Sequence, residues 1–267
     1  MRIRIFTTLL VAAIVGFGIG GTKTVLAGEL ELNTPGVITI STEGTFPPFS
    51  MMTEDGELDG IEIALWKEIT KRMGLKYEPV IIKWESTLVG LKAGLFDVMG
   101  TTMDITEKRQ KEILYSDAWL EGRGILMVQT NSPIKSVDEI KGKTIGALVA
   151  SSYIEAANKF GAAEVKVYKS EPDAYQDLIN GNVDGVITDE VAGGYAIKAS
   201  NLPLRIAEGY AQSGVQKGWG FQKSRPNLVR AVNAALASMM ADGTYDKILI
   251  GQIGVSPAPA DPIRSNF

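Results

Sequence analysis

The sequence predicts an α/β protein made of two lobes. Short apolar or alternating runs, typical of strands, are separated by amphipathic segments that begin at capping residues and end at glycine. The order strand, helix, strand, helix, strand occurs over residues 37–99 and again over residues 144–188. Strand-like segments near 119–127 and 217–222, rather than a low-complexity linker, join the two units. We therefore expect two lobes, each a mixed sheet flanked by helices, connected by two hinge strands.

The first unit opens with an alternating strand, and its helices have recognisable starts or stops. Asp59 and Glu62 form a capping-box pattern at the first helix, which Gly74 ends. A shorter helix is expected to begin near Ser86 and to end at Gly94. The predicted strands of this unit are residues 37–42, 77–82 and 96–99.

The second unit repeats this order. Ser136 and Glu139 form another capping-box pattern, and Asp173 is expected to cap a later helix. A long amphipathic helix follows over residues 227–241, and the proline-rich tail from Ser256 is expected to be poorly ordered. The predicted strands of this unit are residues 144–149, 165–168 and 183–188.

The N-terminus has the pattern of a cleavable secretory signal peptide. Arg2 and Arg4 form a positive start, a mostly apolar run follows over residues 5–21, and Ala27 completes a small-residue cleavage site. We therefore expect export to the periplasm. The expected parts of the chain are a signal peptide (1–27), a discontinuous first lobe (28–121 and 220–267) and a second lobe (122–219).

The composition excludes several classes of function. The chain has 27 basic and 31 acidic side chains, and the predicted leader holds three of the basic ones and no acid, so the exported chain carries a formal net charge of −7. An acidic protein of this kind is a poor partner for nucleic acid or an anionic membrane surface. The chain has no Cys and no His, which excludes thiol nucleophiles, imidazole bases and the commonest metal ligands. We expect no cofactor and no bound metal.

Residues 101–109 have the features of a receptor for a small carboxylate. They follow a buried strand and begin with Thr101 and Thr102, which offer hydroxyl groups. Thr106 is expected to cap a helix, and Arg109 in its first turn can direct a guanidinium group towards the strand end. Backbone N–H groups and a forked cation together bind a carboxylate.

Other polar or aromatic residues follow predicted strands of both lobes. Glu43 and Phe46 come after the first strand, whereas Ser151 and Asp189 follow strands of the second unit. In open α/β sheets, ligands bind at the carboxyl ends of the strands. We therefore expect these residues and Thr101 to meet in a cleft between the lobes.

The chain carries several short motifs in a fixed order: Phe46-Pro47-Pro48-Phe49, Asp59-Gly60-Ile61-Glu62-Ile63, Leu91-Lys92-Ala93-Gly94, Met103-Asp104-Ile105-Thr106-Glu107-Lys108-Arg109, Asn180-Gly181 and Asp242-Gly243-Thr244-Tyr245. Their order and spacing across residues 37–250 resemble those of periplasmic polar-amino-acid-binding proteins of ABC importers, the solute-binding proteins of family 3. The resemblance implies the two-lobed type II periplasmic binding protein fold and a binding protein rather than an enzyme.

The resemblance also implies how an amino acid would be held. Arg109 would bind the α-carboxylate, together with backbone N–H groups near Asp104 and Ser152. Asp189 would bind the α-ammonium group, with support from Thr102. A zwitterion held at both poles in this way would bridge the two lobes.

Further positions are implied for the side chain of the ligand. Phe46 and Trp84 would cover it, and Leu148 and Ser151 would complete the wall from the second lobe. Glu43 stands where relatives that bind cationic side chains often carry an acid.

Asp104 departs from the family pattern, which usually has a small hydroxyl residue there. Its carboxylate is expected either to pair with Arg109 or to add to the ammonium site. If the three acids Glu43, Asp104 and Asp189 lie in the cleft with one arginine, the formal charge of the site is −2. Burying that charge without a cationic ligand is costly. We therefore favour a basic amino acid, or another ligand with an extra cationic group, which the two aromatic residues could contact through cation–π interactions.

Two alternatives remain open. Periplasmic dehydratases of prephenate or arogenate share this fold and use a carboxylate in the cleft, a role that Glu43 or Asp104 could take. The closed lobes could also be presented to a membrane receptor rather than to a permease. For transport, the expected partners are a small amino-acid ligand and the membrane permease of an ABC importer, with a monomeric protein and no nucleic acid.

Overall fold

The computed structural model describes residues 30–267, and the predicted signal peptide at 1–27 lies outside them. No helix among these residues is long and apolar enough to cross a membrane. The strands are β1 (Val37–Thr42), β2 (Thr45–Phe46), β3 (Ser50–Met52), β4 (Leu58–Asp59), β5 (Lys76–Ile81), β6 (Val98–Asp104), β7 (Leu114–Tyr115), β8 (Leu120–Gln129), β9 (Thr144–Leu148), β10 (Glu164–Tyr168), β11 (Gly185–Asp189), β12 (Leu204–Ile206) and β13 (Gln212–Phe221). The helices are α1 (Ile61–Met73), α2 (Trp84–Lys92), α3 (Glu107–Gln110), α4 (Tyr153–Lys159), α5 (Glu171–Ile179), α6 (Glu190–Ser200), α7 (Pro226–Ala241) and α8 (Thr244–Ile253), with a 3₁₀ helix at Val137–Ile140.

One mixed sheet runs through both lobes in the order β10-β9-β11-β8-β13-β6-β1-β5. β1 is parallel to β5 and β6, and β9 is parallel to β10 and β11. β8 and β13 pair antiparallel at the centre. These central strands are the two hinge strands that the sequence predicts. The chain therefore has the expected two-lobed α/β architecture, with one parallel half-sheet in each lobe.

Each lobe has its own apolar core. In the first lobe, α1, α7 and α8 pack together over a core that includes Trp66, Trp119 and Trp219. The ring centroids of Trp66 and Trp219 are 4.5 Å apart, and those of Trp119 and Trp219 are 5.2 Å apart. In the second lobe, Leu126 of β8 and Ile145 of β9 belong to a separate cluster. Because the chain passes between the lobes only along β8 and β13, the lobes can move as bodies about this hinge.

The two predicted capping boxes do not form. Glu62 is buried, and its Oε1 accepts hydrogen bonds from the backbone N and the hydroxyl of Thr102. The segment after Ser136 is the 3₁₀ helix, which has no side-chain cap, and Glu139 accepts a hydrogen bond from the backbone N of Lys135 instead. The spacing of a capping box is present in both segments, but each acid has a different partner.

Three element boundaries also differ from prediction. β6 continues to Asp104 because it pairs with hinge strand β13 over this length. α2 begins at Trp84 rather than near Ser86. The cap of α5 is Ser170, whose hydroxyl accepts a hydrogen bond from the backbone N of Asp173, so Asp173 lies inside the helix.

The prediction of a poorly ordered tail is wrong, because the tail packs against the hinge. The carbonyl of Ile263 accepts a hydrogen bond from the backbone N of Ala118 at 2.9 Å. The side-chain oxygen of Asn266 accepts one from the backbone N of Tyr115 at 2.8 Å. These partners lie beside the first residues of β7 and β8, far from the tail in sequence, so no local pattern indicates the contact.

Candidate ligand-binding site

The predicted site residues lie around one cavity between the lobes. Asp189 does not line the cavity, but its Oδ2 is 3.1 Å from Nζ of Lys217, which does. The cavity volume is about 40 Å³. Because pockets for drug-sized ligands span roughly 300–1,000 Å³, an amino acid enters only when the lobes move apart. Ten of the eleven predicted residues line the cavity: Glu43, Phe46, Trp84, Thr101, Thr102, Asp104, Arg109, Leu148, Ser151 and Ser152.

Hydrogen bonds between the lobes hold this arrangement closed. Three of them join a residue of the first lobe to the turn after β9 in the second lobe, so these three break together when the cleft opens. The bonds run from Trp84 Nε1 to Val149 O at 2.8 Å, from Arg109 Nη2 to Ala150 O at 2.9 Å, and from Ser152 Oγ to Asp104 Oδ2.

Arg109 presents a cation to the cavity. Its backbone N donates to the hydroxyl of Thr106 at 3.3 Å, so the predicted N-cap of α3 forms and orients the first turn. The guanidinium donates to the backbone carbonyl of Asp104 at 3.0 Å and to that of Ala150 at 2.9 Å. Among residues 30–267 no carboxylate forms a salt bridge with Arg109. Its charge is therefore available to an anionic ligand group.

The carboxylate of Asp104 pairs with Lys217, not with Arg109. Its Oδ1 lies 2.6 Å from Nζ of Lys217, and its Oδ2 accepts a hydrogen bond from the hydroxyl of Ser152. Burial acts to raise the pKa of Asp104, but the Lys217 ammonium outweighs burial and holds the pKa below its ordinary value. The sequence predicted that Asp104 pairs with Arg109 or adds to the ammonium site. The structure instead places it in an ion pair with Lys217.

Sequence reasoning missed Lys217. The residue lies on hinge strand β13 and is 4% exposed. Burial acts to lower the pKa of Lys217, but attraction to Asp104 and to Asp189 raises it well above its ordinary value, so the side chain is cationic. The signal in the sequence is a lysine two residues before the predicted strand Trp219-Gly220-Phe221, because a lysine on a buried strand needs acidic partners.

Asp189 caps α6, as its place before Glu190 indicates. Its Oδ1 accepts hydrogen bonds from the backbone N of Val191 at 2.8 Å and of Ala192 at 3.2 Å. The side chain is fully buried, and its Oδ2 is the atom that approaches Lys217. Asp189 therefore combines a structural cap with an acidic position beside the cavity.

Two further carboxyl groups, from different lobes, line the cavity. Glu43 follows β1, and Glu171, which sequence reasoning missed, opens α5 in the second lobe. The hydroxyl of Thr188 donates to Oε2 of Glu171 at 2.8 Å. Burial, followed by repulsion from Glu171, raises the pKa of Glu43 to about 7, and burial also raises the pKa of Glu171 to about 7. A cationic ligand group placed here would gain two acidic partners. Nothing in the sequence distinguishes Glu171 from an ordinary acid in a first helical turn.

Two threonines of β6 line the cavity in different ways. Thr102 is tied to Glu62 behind it by two hydrogen bonds, and burial raises the pKa of Glu62 to about 8. The hydroxyl of Thr101 is buried and has no hydrogen-bond partner among the described residues. Thr101 therefore offers a hydrogen-bonding group to a ligand, and Thr102 is held in place by the acid behind it.

Aromatic and aliphatic side chains form the remaining walls. Phe46 stacks on Phe49 with ring centroids 5.0 Å apart, and Phe49 lies in the core, as expected. The ring of Trp84 is 5.6 Å from the guanidinium carbon of the site arginine. From the second lobe, Leu148 lines the cavity, and the hydroxyl of Ser151 donates to the carbonyl of Leu148 at 2.6 Å.

A larger groove of about 1090 Å³ lies between β8, α6 and the tail. Its polar lining includes Arg123 and Glu190, which form a salt bridge at 2.7 Å. None of the predicted site residues lines it. The smaller cavity, with buried charges from both lobes, is therefore the candidate site. Within residues 30–267, no group of three acidic side chains could hold a metal ion.

Comparison with known proteins agrees with this architecture. The profile of the family "Bacterial extracellular solute-binding proteins, family 3" matches residues 38–250. The chain belongs to this family.

Individual relatives of this solute-binding protein have several different ligands in their names. The L-cystine-binding protein TcyJ of Escherichia coli strain K12 is 31% identical over 216 residues, which cover 80% of this chain and 81% of TcyJ. The lysine/arginine/ornithine-binding periplasmic protein of the same strain is 32% identical over 224 residues, which cover 80% and 86% of the two chains. The structure of an ancestral arginine-binding protein bound to arginine is 34% identical, with a TM-score of 0.76, and the match covers 82% of this chain and 99% of that one.

The charged groups at the site of this family 3 protein are not the same set that the sequence predicted. Lys217 adds a second cation beside Arg109, and Glu171 adds a fourth acid. The formal charge with every group ionised is again −2. Among residues 30–267, the two site acids without a salt bridge are Glu43 and Glu171, and the charges of Asp189 and Lys217 both act on Glu171.

Proposed function

We propose that this solute-binding protein captures a cationic amino acid, or a carboxylate derived from one, between its lobes and delivers it to an ABC permease. The observation that supports this most strongly is that one cavity is lined by an unpaired cation and by two unpaired acids. Arg109 has no carboxylate partner, and Glu43 and Glu171 have no basic partner in a salt bridge, among residues 30–267. A ligand that carries both a carboxylate and a cationic group satisfies both kinds of charge.

The ligand carboxylate binds to Arg109, whose guanidinium now donates only to backbone carbonyls. The cationic end lies against Glu43 and Glu171. Phe46 and Trp84 cover it, and a cation–π contact in such a desolvated place contributes about 1–2 kcal/mol. Each polar contact is strengthened because the closed cleft excludes water.

The relatives support this choice of ligand. One is named for lysine, arginine and ornithine, and the ancestral protein holds arginine. The cystine-binding relative has a different ligand. The preference for a cation therefore rests on the two unpaired acids of this chain rather than on family membership.

Ligand binding favours the closed arrangement because only there do both lobes contact the ligand. Arg109 and Glu43 belong to the first lobe, and Glu171 belongs to the second. The hinge strands β8 and β13 bend as the lobes separate. The closed form then docks on the permease and releases its ligand for transport.

The cellular location, the extent of the lobes and the oligomeric state belong to the same proposal and are taken from the sequence. Residues 1–27 direct the chain to the periplasm and are removed. The lobes are residues 28–121 with 220–267, and residues 122–219. The protein acts as a monomer and a binding protein, without turnover of its ligand.

A ligand screen with the exported chain tests the proposal. Any ligand that binds the folded state raises the melting temperature. Arginine, lysine and ornithine are compared with glutamine, cystine and glutamate, followed by calorimetry of each stabilising compound. We expect at least one cationic compound to bind more tightly than glutamine, its neutral counterpart. Binding of neutral or acidic amino acids with no cationic one among them would contradict the proposal.

A second candidate function is dehydration of prephenate or arogenate. The observation that favours it is the pKa of about 7 for Glu43 and for Glu171, because a carboxyl group with such a pKa can act as a general acid near neutral pH. Incubation with each compound, followed by detection of the aromatic product, separates catalysis from binding. Turnover that is lost in a Glu43→Gln variant would replace the transport proposal.

A further inference from the structure

An ammonium group of the chain itself lies where a ligand's ammonium group is expected. Nζ of Lys217 is 2.6 Å from Oδ1 of Asp104 in the first lobe and 3.1 Å from Oδ2 of Asp189 in the second. All three side chains are nearly or fully buried. The lysine therefore bridges the lobes through the same acid, Asp189, to which the family resemblance assigns an α-ammonium group.

Three of the four carboxylate oxygens of these two acids already accept hydrogen bonds. Oδ1 of Asp189 is occupied by backbone N–H groups of α6, and Oδ2 of Asp104 accepts the hydroxyl of Ser152. Oδ1 of Asp104 accepts a hydrogen bond from Lys217. Oδ2 of Asp189 has no hydrogen-bond partner among the described residues, but it lies 3.1 Å from the same ammonium group. A ligand ammonium in this position would lie next to a like charge in a water-poor site, which is unfavourable.

The opposite hinge strand makes room for the lysine. A Cβ atom at Gly122 of β8 would lie 3.2 Å from Cε of Lys217 and 3.4 Å from Oδ2 of Asp189. A side chain at position 122 would thus crowd both members of the ion pair. Because Gly122 has no side chain, the aliphatic part of Lys217 has room beside β8.

We propose that Lys217 determines ligand specificity by filling the ammonium subsite between Asp104 and Asp189, so that the cleft selects cationic carboxylates with no free ammonium group beside the carboxylate. This inference rests on the proposed function for its cationic carboxylate ligand. It narrows the ligand to compounds such as ω-guanidino or ω-amino carboxylic acids. Their carboxylate binds Arg109 and their cation binds Glu43 and Glu171, while Lys217 remains in place.

A comparison of two ligands in two proteins tests the proposal. The ligands are arginine and 5-guanidinopentanoic acid, which differs from arginine only by the loss of the α-amino group. The proteins are the wild type and Lys217→Met, with Lys223→Met as a control because Lys223 is an exposed lysine just beyond β13. We expect the wild type and the control to bind the des-amino compound more tightly than arginine. In the K217M variant the ratio of the affinity for arginine to that for the des-amino compound should rise by at least about tenfold, the size of one charge-assisted interaction.

Tighter binding of arginine in the wild type, with the same ratio in K217M, would overturn the proposal. The K217M variant leaves two buried acids without their cation, which destabilises the fold. The variant K217M/D104S removes both members of one ion pair and keeps the charge balance. The same shift towards arginine is expected in it.

A rescue experiment without the ligand distinguishes this inference from the proposed function. In Lys217→Ala the subsite opens, and ethylammonium chloride should raise the melting temperature above the value in sodium chloride of equal concentration. The wild type should show no such difference. No rescue in K217A would overturn the inference, whereas rescue in a protein that binds neither arginine nor its analogue would leave the subsite assigned and reject the proposed ligand.

Discussion

Glu43 and Glu171 come from different lobes and line the same cavity, and neither forms a salt bridge with a basic side chain of residues 30–267. Burial and then the nearby Glu171 raise the pKa of Glu43 to about 7. Closure of the cleft thus brings two acids together in a poorly solvated place. A cationic ligand group relieves this repulsion, and so gives the closed form its preference for such a ligand.

The affinity for a cationic ligand should fall as the pH drops below about 7. Both glutamates then hold protons, which must be released before the cation binds. Each such proton lowers the affinity about tenfold per pH unit below the pKa. Calorimetry of arginine, or of its des-amino analogue, at several values between about pH 5.5 and about pH 8.5 measures this slope. The account predicts tighter binding at the upper end, and a flat profile would contradict it.

Removal of either acid should weaken cationic ligands selectively. Glu43→Gln and Glu171→Gln each keep the shape of the side chain and lose its charge. We expect each to weaken arginine binding by about 10- to 100-fold, the value of a hydrogen bond to a charged group, and to change glutamine binding little. Glu164→Gln is the matched control, since Glu164 is exposed on β10 in the same lobe as Glu171. Equal losses for arginine and glutamine would remove the basis for the cationic preference.

Local sequence patterns predicted most of the fold. The starts of β1 and α7 and the cap of α3 by Thr106 agree with prediction to within a residue. Each depends on neighbours in sequence: alternation, amphipathic spacing or a hydroxyl before a helix. Hinge strand β13 was only partly predicted, because its first residues are polar. Its pairing with β6 and β8, not its composition, makes it a strand.

The parts of the site that were missed depend on contacts between distant residues. Lys217 lies 113 positions from its partner Asp104, and that partner is itself the departure from the family pattern. Glu62 was assigned to a capping box because its spacing fits one, but it bonds to Thr102, 40 positions away. A spacing rule describes which local partner is possible. It cannot show that a residue distant in sequence, brought close by folding, will bind the side chain instead.

The buried acid Glu62 should make stability depend on pH. Burial raises its pKa from 4.5 to about 8, so between these values the folded chain holds a proton that the unfolded chain has lost. The free energy of unfolding contributed by this group therefore falls as the pH rises, by about 1.4 kcal/mol per pH unit. Glu62→Gln removes this group's share of the slope.

Urea unfolding of the wild type and the E62Q variant at a series of pH values measures the difference. The advantage of E62Q, relative to its value near pH 4.5, should grow up to about pH 8 and then level off. A constant difference between the two proteins would show that Glu62 ionises normally in the folded state.

The tail should contribute to stability through Asn266. Its side chain accepts a hydrogen bond from the backbone N of Tyr115 and donates to the carbonyls of Gln110 and Ile113 at 3.0 and 3.1 Å. Asn266→Ala leaves these groups without their partner, and we expect a loss of about 1–3 kcal/mol. Asn158→Ala, on an exposed face of α4, is the control and should change little. Equal unfolding midpoints for both variants would place the tail outside the cooperative fold.

The central claim is that Arg109 binds the carboxylate of a ligand held between the lobes. Arg109→Met keeps most of the aliphatic stem and removes the guanidinium, and Arg264→Met is the control because Arg264 is exposed and pairs with Asp117 instead. Calorimetry with the tightest ligand of the screen compares both variants with the wild type. The account predicts that Arg109→Met weakens binding at least about 100-fold, the value of a charge-assisted bidentate contact, while Arg264→Met binds normally. Unchanged affinity in a folded Arg109→Met protein would contradict it.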